Sequence, residues 1–284
     1  MKRIPLLLLA ILLCAVSAHA ALHFYEPFDY AETNLAVASS GLWTELNASI
    51  TNPVHEIRVM DVGISGSLIY QKSGNTLLAS GKCGVAYYGS STAGCEYETI
   101  LTTLYENGVV WLSWLSVETK GNWMDQKIRL YNDGTEQAWF GCNVDNPGTL
   151  HYYGGFWNWV ANTRGDRVQG SNTFVAAAAG PATPHLMVMK LDYVNGIAGY
   201  YIDPDPGVAD PKASAVWYDE AAIDSAAAMP FNRMRLRRAN WASTLTYFDE
   251  VRVGDTYGDV TPVPEPATLA VVLGALGFAA VRRR

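Results

Sequence analysis

The stretch Thr99–Thr119, TILTTLYENGVVWLSWLSVET, decides how the rest of the chain is read. Two apolar runs meet at Asn107-Gly108, and both residue types tolerate the positive φ angles that tight hairpins require. In the second run Val109, Trp111, Ser113, Leu115 and Val117 mark one face of a strand. Val110, Leu112, Trp114 and Ser116 mark the other face, which is also largely apolar. A strand that is apolar on both faces has to be covered on both, so it belongs in the middle of a sheet within a sandwich.

The same pattern recurs downstream. KIRLYNDGTEQAWFGC (Lys127–Cys142) turns at Asp133-Gly134, and HLMVMKLDYVNGIAGYYIDPD (His185–Asp205) turns at Asn195-Gly196. In Met187, Met189, Leu191 and Tyr193 every second residue is apolar or aromatic. These hairpin signals predict an all-β fold, a two-sheet antiparallel sandwich. Helical signals are few: VAAAAG (Val175–Gly180) and DEAAIDSAAAM (Asp219–Met229) predict short helices at most.

The two ends have a different character. Lys2 and Arg3 precede a nearly continuous apolar run, Ile4–Val16, and Ser17-Ala18-His19-Ala20 then places small residues where signal peptidase reads them. This predicts a signal peptide that the Sec translocon takes up, with cleavage after Ala20. The run is too short for a membrane anchor, and Leu13 precedes Cys14 where a lipoprotein would carry a small residue. At the other end Ala267–Val281 is fifteen residues without a charge. As a helix it spans roughly 22 Å, against a hydrocarbon core of about 30 Å. Arg282, Arg283 and Arg284 would hold its end on the cytoplasmic side. The chain thus divides into a signal peptide at 1–20, a body at 21–260, and a tail at 261–284 with a transmembrane helix. The expected route is an inner-membrane-anchored intermediate, then the cell surface or the extracellular space.

Of 20 Lys and Arg and 27 Asp and Glu, five basic residues and Glu265 lie in the ends, leaving the body with 15 against 26, a net charge of −11. Such a surface repels nucleic acid, which is excluded as a partner. Beyond the signal peptide the cysteines are Cys83, Cys95 and Cys142. The segment GVAYYGSSTAG between the first two can turn back on itself, so a Cys83–Cys95 disulfide is one expectation for an exported protein. Free thiols are the other, because sequence does not fix pairing. No CxxC motif or Cys/His cluster indicates zinc.

The tail resembles something specific. Val263-Pro264-Glu265-Pro266, a short apolar helix and the terminal Arg282, Arg283 and Arg284 are similar to the PEP-CTERM sorting signal of exported bacterial proteins. The resemblance implies an exosortase-type transpeptidase that cuts near the Pro-Glu-Pro. It also implies only transient residence in the inner membrane, and an association with exopolysaccharide. The body has a resemblance of its own. HFYEPFDYAETNLA (His23–Ala36) and YFDEVRVGDTYGDV (Tyr247–Val260) resemble the first and last strands of laminin-G/concanavalin A-like domains. That implies a jelly roll whose terminal strands pair with each other.

Glycoside hydrolases occur on that fold, and retaining ones hold two carboxylates about 5–5.5 Å apart. Glu96 and Glu98 in CEYET are two residues apart and share a strand face, whereas the adjacent Asp249 and Glu250 are expected to point opposite ways. No G-x-S-x-G elbow is present, and the histidines form no recognisable triad pattern. The chain is therefore read as a non-enzyme. HYYGGFWNWV (His151–Val160) supplies candidate carbohydrate-binding residues: Tyr152, Tyr153, Trp157 and Trp159 to lie against sugar rings, with Asn158 as a polar partner. Against this, the alternate rings Trp157 and Trp159 suit a core-facing strand. Asp203 and Asp205 are candidate calcium ligands, though flanking prolines also make them turn formers. No other cofactor is indicated. In RMRLRR, Arg233, Arg235 and Arg237 fall on one strand face and Met234, Leu236 and Arg238 on the other. The reading is a carbohydrate-binding or adhesion module. The alternatives are a structural surface protein without a soluble ligand and a divergent glycoside hydrolase.

Overall fold

A computed structural model describes residues 21–46, 56–61, 67–86, 94–118, 124–146, 149–158, 163–164, 168–169, 184–222, 229–240 and 245–263. In chain order the strands are β1 (Leu22–Glu26), β2 (Thr44–Glu45), β3 (Ile57–Met60), β4 (Gln71–Lys72), β5 (Asn75–Thr76), β6 (Cys83–Ala86), β7 (Cys95–Tyr105), β8 (Val109–Glu118) and β9 (Met124–Asn132). They continue as β10 (Thr135–Asn146), β11 (Thr149–Asn158), β12 (Thr163–Arg164), β13 (Val168–Gln169), β14 (His185–Asp192), β15 (Ile197–Ile202), β16 (Trp217–Ala222), β17 (Phe231–Asn240) and β18 (Thr246–Gly254).

The first sheet runs β16-β15-β14-β8-β18-β6-β3, with β1 added against β18; the second runs β12-β11-β10-β9-β17-β7-β2, with β13 against β11. The pairings are antiparallel, and the chain switches sheets from β1 to β2, β2 to β3, β6 to β7, β7 to β8, β8 to β9, β13 to β14, β16 to β17 and β17 to β18. This is an all-β, two-sheet antiparallel sandwich with the sheet-switching habit of a jelly roll. β8 lies between β14 and β18, as its two apolar faces require. Its Leu112 and Trp114 enter the core between the sheets, while Leu115 and Val117 enter a second apolar cluster. That cluster paves the outer face of the first sheet, where Leu68, Tyr70 and Leu77 cover Leu115, Val117, Leu186 and Val188. Between the sheets Trp114 meets Phe140 edge to face at 5.4 Å.

Two of the three turns are true hairpins. Asn132 pairs with Thr135 across Asp133-Gly134, and Asp133 has φ +50°. Asp192 pairs with Ile197 across the Asn195-Gly196 turn, where the Asp192 carboxylate accepts from Asn195 N and Nδ2, both at 2.9 Å. The third expectation is corrected. The strands flanking Asn107-Gly108 do not pair, because β7 belongs to the second sheet and β8 to the first. Gly108 takes φ +73°. Turn chemistry reverses the chain but does not choose which sheet it joins. The helix expected from Asp219 is also absent at its start: Asp219–Ala222 extend as part of β16, with Asp219 opposite Tyr200. Val175–Gly180 lie outside the described residues.

The terminal strands do pair, Leu22 opposite Gly254 and Glu26 opposite Val251. Glu26 is fully buried and fixes the start of the fold, accepting from Phe28 N at 2.6 Å, Trp43 Nε1 at 2.6 Å and Tyr30 Oη at 2.9 Å.

Asp249 and Glu250 do not point opposite ways. β18 bulges there: the register shifts between Asp249 and Arg252, and Glu250 takes φ +53°. Both carboxylates consequently reach the same covering segment. Asp249 accepts from Ser67 Oγ and Leu68 N at 2.7 Å, and Glu250 accepts from Ser80 N at 2.7 Å. The extra residue of a bulge overrides the strict alternation of a regular strand.

The Cys83–Cys95 disulfide is likewise absent, and both thiols are free and buried. Cys83 faces the outer cluster of the first sheet, whereas Cys95, on the second sheet, faces the core between the sheets. Packed sheets lie about 10 Å apart, farther than a disulfide spans.

Candidate functional site

The outer face of the second sheet differs in kind from that of the first. Alternation on β7, β17, β9 and β10 sends Tyr97, Leu236, Ile128 and Phe140 into the core. It sends charged residues outward in register. Glu98 lies opposite Arg235, Arg235 opposite Arg129, and Arg129 opposite Trp139. The next row reads Glu96, Arg237, Lys127 and Gly141. Arg233, Arg235 and Arg237 share this face, while Met234, Leu236 and Arg238 are buried on the other, as the spacing predicted.

The result is a ladder of ion pairs. Arg233 Nη1 and Arg235 Nε each donate to Glu98 at 2.8 Å. Arg129 donates to Glu96 at 2.8 Å and also to Glu136. The cations lie over rings: the Arg235 guanidinium is 3.6 Å from the Tyr131 centroid, and Lys127 Nζ is 4.6 Å from that of Trp139. Tyr131 and Trp139 are each only 4% exposed. Burial, before any charge effect, pushes the Tyr131 phenol above its ordinary pKa. Each ring is thus already covered by a cation, a contact worth about 0.5–2 kcal/mol.

Chemically, this face offers fixed guanidinium donors and carboxylate acceptors to a hydroxyl-rich ligand. It is poorly suited to acid–base work. Glu96 and Glu98 do share a strand face, but both carboxylates accept from arginines. A glycosidase general acid must instead present a proton to its leaving group.

The aromatic segment expected to meet sugar forms the next strand of this sheet. β11 pairs with β10, setting Gly155 opposite Trp139, Tyr153 opposite Gly141 and Tyr152 opposite Cys142. Trp157 and Asn158 pair with Arg164 and Thr163 of β12. Trp159 lies outside the described residues.

Asp203 and Asp205, the candidate calcium ligands, each accept hydrogen bonds from nearby protein groups. Asp203 accepts from His185 Nδ1 at 2.7 Å and Leu186 N at 2.9 Å, and Asp205 from Asn75 Nδ2 at 2.8 Å and Gly207 N at 2.9 Å. Both act as loop formers. Among the described residues no group of three or more His, Cys, Asp or Glu could hold a metal ion. Of the sorting motif, Val263 is described and half-buried, whereas Pro264, Glu265, Pro266, Arg282, Arg283 and Arg284 lie outside the described residues. No helix among the described residues is long and apolar enough to cross a membrane. A cavity of about 970 Å³ lies away from the ladder, between Tyr25, Leu78, Arg252, Pro262 and Val263.

Sequence reasoning named Glu96, Glu98, Arg233, Arg235 and Arg237 but missed Arg129, Glu136 and the ladder itself. The pairing of Glu96 and Glu98 with arginines 33 to 139 residues away appears only with the register.

No protein-family model matches the chain. No curated protein matches it either. Several solved structures are similar in fold. One is SCLam, a non-specific endo-β-1,3(4)-glucanase from family GH16, with 12% identity, TM-score 0.48, and coverage of 85% of this chain and 93% of that one. Another is the Bacillus licheniformis β-glucanase, with 12% identity, TM-score 0.43, and coverage of 82% and 98%. A third is the CBM2 module of the evolved Dit of Lactobacillus casei BL23 phage J-1, with 7% identity, TM-score 0.44, and coverage of 84% and 96%.

Proposed function

We propose that the chain is exported, is passed by its tail to an exosortase-type transpeptidase at the inner membrane, and acts at the cell surface as a non-catalytic carbohydrate-binding or adhesion module. The observation that carries the binding reading is the outer face of the second sheet. There Arg129, Arg233, Arg235, Glu96 and Glu98 hold donors and acceptors at fixed spacing across three neighbouring strands. Polysaccharide hydroxyls pair with such groups in both directions, and the β11 segment with Tyr152, Tyr153, Trp157 and Asn158 extends the same sheet. Trp159 follows directly in sequence.

The test is retention in polysaccharide-containing gels and on a glycan array. Arg235→Ala and a Trp157→Ala/Trp159→Ala variant are compared with the parent, with folding checked by circular dichroism. A lost charged hydrogen bond of about 1.5 kcal/mol predicts roughly tenfold weaker retention. Release of reducing sugar would overturn the non-catalytic reading. Absence of retention on every polysaccharide, with the fold intact, would favour a structural surface protein. The internal pairing of the ladder is the observation that supports that second reading. Mass spectrometry of the native protein tests export: a cytosolic chain running from Met1 to Arg284 would refute it.

A further inference from the structure

The reading of residues 1–20 as a cleaved signal has a chemical consequence at the next atom of the chain. In the full chain the nitrogen of Ala21 is a peptide N–H; cleavage after Ala20 makes it an α-ammonium. The fold already positions this nitrogen. It lies 3.3 Å from Oδ2 of Asp255, and the Ala21 carbonyl accepts the Asp255 N–H at 3.3 Å. The other carboxylate oxygen of Asp255 is 2.7 Å from His23 Nε2. β1 begins on the following residue, with Leu22 opposite Gly254, so no linker separates the scissile bond from the first strand.

We propose that Asp255 is the receptor for the N-terminus that signal removal creates, so that cleavage itself strengthens the attachment of β1 to β18. The inference rests on the export reading above. A neutral N–H donor becomes a cation at the same place, and the contact becomes a charge-assisted pair. Asp255 has one oxygen for each partner, the ammonium on Oδ2 and His23 on Oδ1. His23 is steadied on its other side by the edge of Tyr105, their rings 5.7 Å apart and perpendicular. A precursor that retains Ala20 has no charge at this position.

The site is half-exposed, with the Asp255 side chain 50% accessible, so the expected gain is that of a surface pair. For a body of this size it amounts to a rise in melting temperature of about 1–3 °C.

The test uses chains running from Ala21 to Arg284, released from a cleavable fusion into mild detergent. The free amine is compared with the enzymatically N-acetylated form, both in the parent and in Asp255→Asn. The expected result is a melting point about 1–3 °C higher for the free amine in the parent only, and slower reaction of that amine with an acylating reagent than in Asp255→Asn. Equal melting points in the parent, or the same difference in both backgrounds, would overturn the proposal, as would equal amine reactivity. Mass spectrometry of the exported protein separates this failure from that of the export reading. A mature N-terminus other than Ala21 refutes the cleavage position. A start at Ala21 without the Asp255-dependent difference refutes the receptor.

Discussion

Asp249→Ala is the most informative single change to the fold. The Asp249 carboxylate is fully buried and accepts from Ser67 Oγ at 2.7 Å, Leu68 N at 2.7 Å and Glu250 N at 2.8 Å. Two of these donors belong to the segment that covers the outer face of the first sheet. If the segment stays in place after the substitution, each orphaned donor costs about 1–3 kcal/mol. If it lifts, Leu68, Tyr70 and Leu77 leave the outer cluster, each forfeiting a burial worth about 1.5–3 kcal/mol. Against this, the substitution relieves a strained group. Burial, and after it the charge of Glu250, holds the Asp249 pKa well above the ordinary carboxylate range. The balance is a loss of about 3 kcal/mol, a large fraction of the roughly 5–15 kcal/mol that holds a domain folded. Urea unfolding followed by tryptophan fluorescence at pH 7 measures it, with Asp249→Asn, which keeps one acceptor oxygen, expected at about half the loss. A loss under about 0.5 kcal/mol for Asp249→Ala, at an unchanged urea slope, would refute the claim that this carboxylate pins the covering segment.

Other consequences can be checked independently. Burial raises the carboxyl pKa values of Glu26, Asp249 and Glu250, so the folded chain holds these protons more tightly than the unfolded one. Their contribution is fully present below about pH 4 and lost as pH rises through the raised values. A urea series should therefore show a component that falls as pH rises above about 4, shallower in Asp249→Asn. Asp192 has the opposite sign. Burial pushes its pKa up, but hydrogen bonds from Asn195 and Lys190 outweigh that and bring it down to about 2. Its stabilisation is present above about pH 4 and lost as pH falls toward 2, so Asp192→Asn should flatten the acid limb of the same series. Gly81 has φ +78°, and a Cβ there would lie 2.3 Å from the Pro27 carbonyl oxygen; Gly81→Ala should cost about 1–3 kcal/mol in thermal or urea unfolding. Peptide mapping without reductant should find no Cys83–Cys95 link. Cys95, its pKa pushed up to about 12 by burial, should react with thiol reagents only after denaturant is added.

Much of the architecture was legible because it is written in local periodicity. The two apolar faces of β8 announced a central strand, and Asp133-Gly134 and Asn195-Gly196 marked their hairpins. What escaped was whatever depends on distant partners. Asn107-Gly108 carries the same turn chemistry as the other two, yet its strands enter different sheets, a choice made by packing. Strict alternation misplaced Glu250 because one extra residue in β18 turned its carboxylate to the side of Asp249, and among the contacts that hold it the Ser80 N–H is 170 residues away and the Tyr25 hydroxyl 225. The polar face was half legible: the RMRLRR alternation was readable, but the commitment of Glu96 and Glu98 to arginines required the register of three strands.

The pairing of β1 with β18 also sets how the body bears tension. The chain enters at Leu22 and leaves after Gly254 from the same end of one antiparallel pair, and the exit is stitched again where Leu78 N donates to the Pro262 carbonyl at 2.7 Å. Pulled apart by its two ends, such a pair opens like a zipper, rung by rung, instead of resisting in shear. If the proposed surface attachment through the C-terminal end holds, with signal removal leaving Ala21 as the N-terminus, β1 carries no load. Any load applied to a body so attached would pass into β18 and the Leu78–Pro262 stitch.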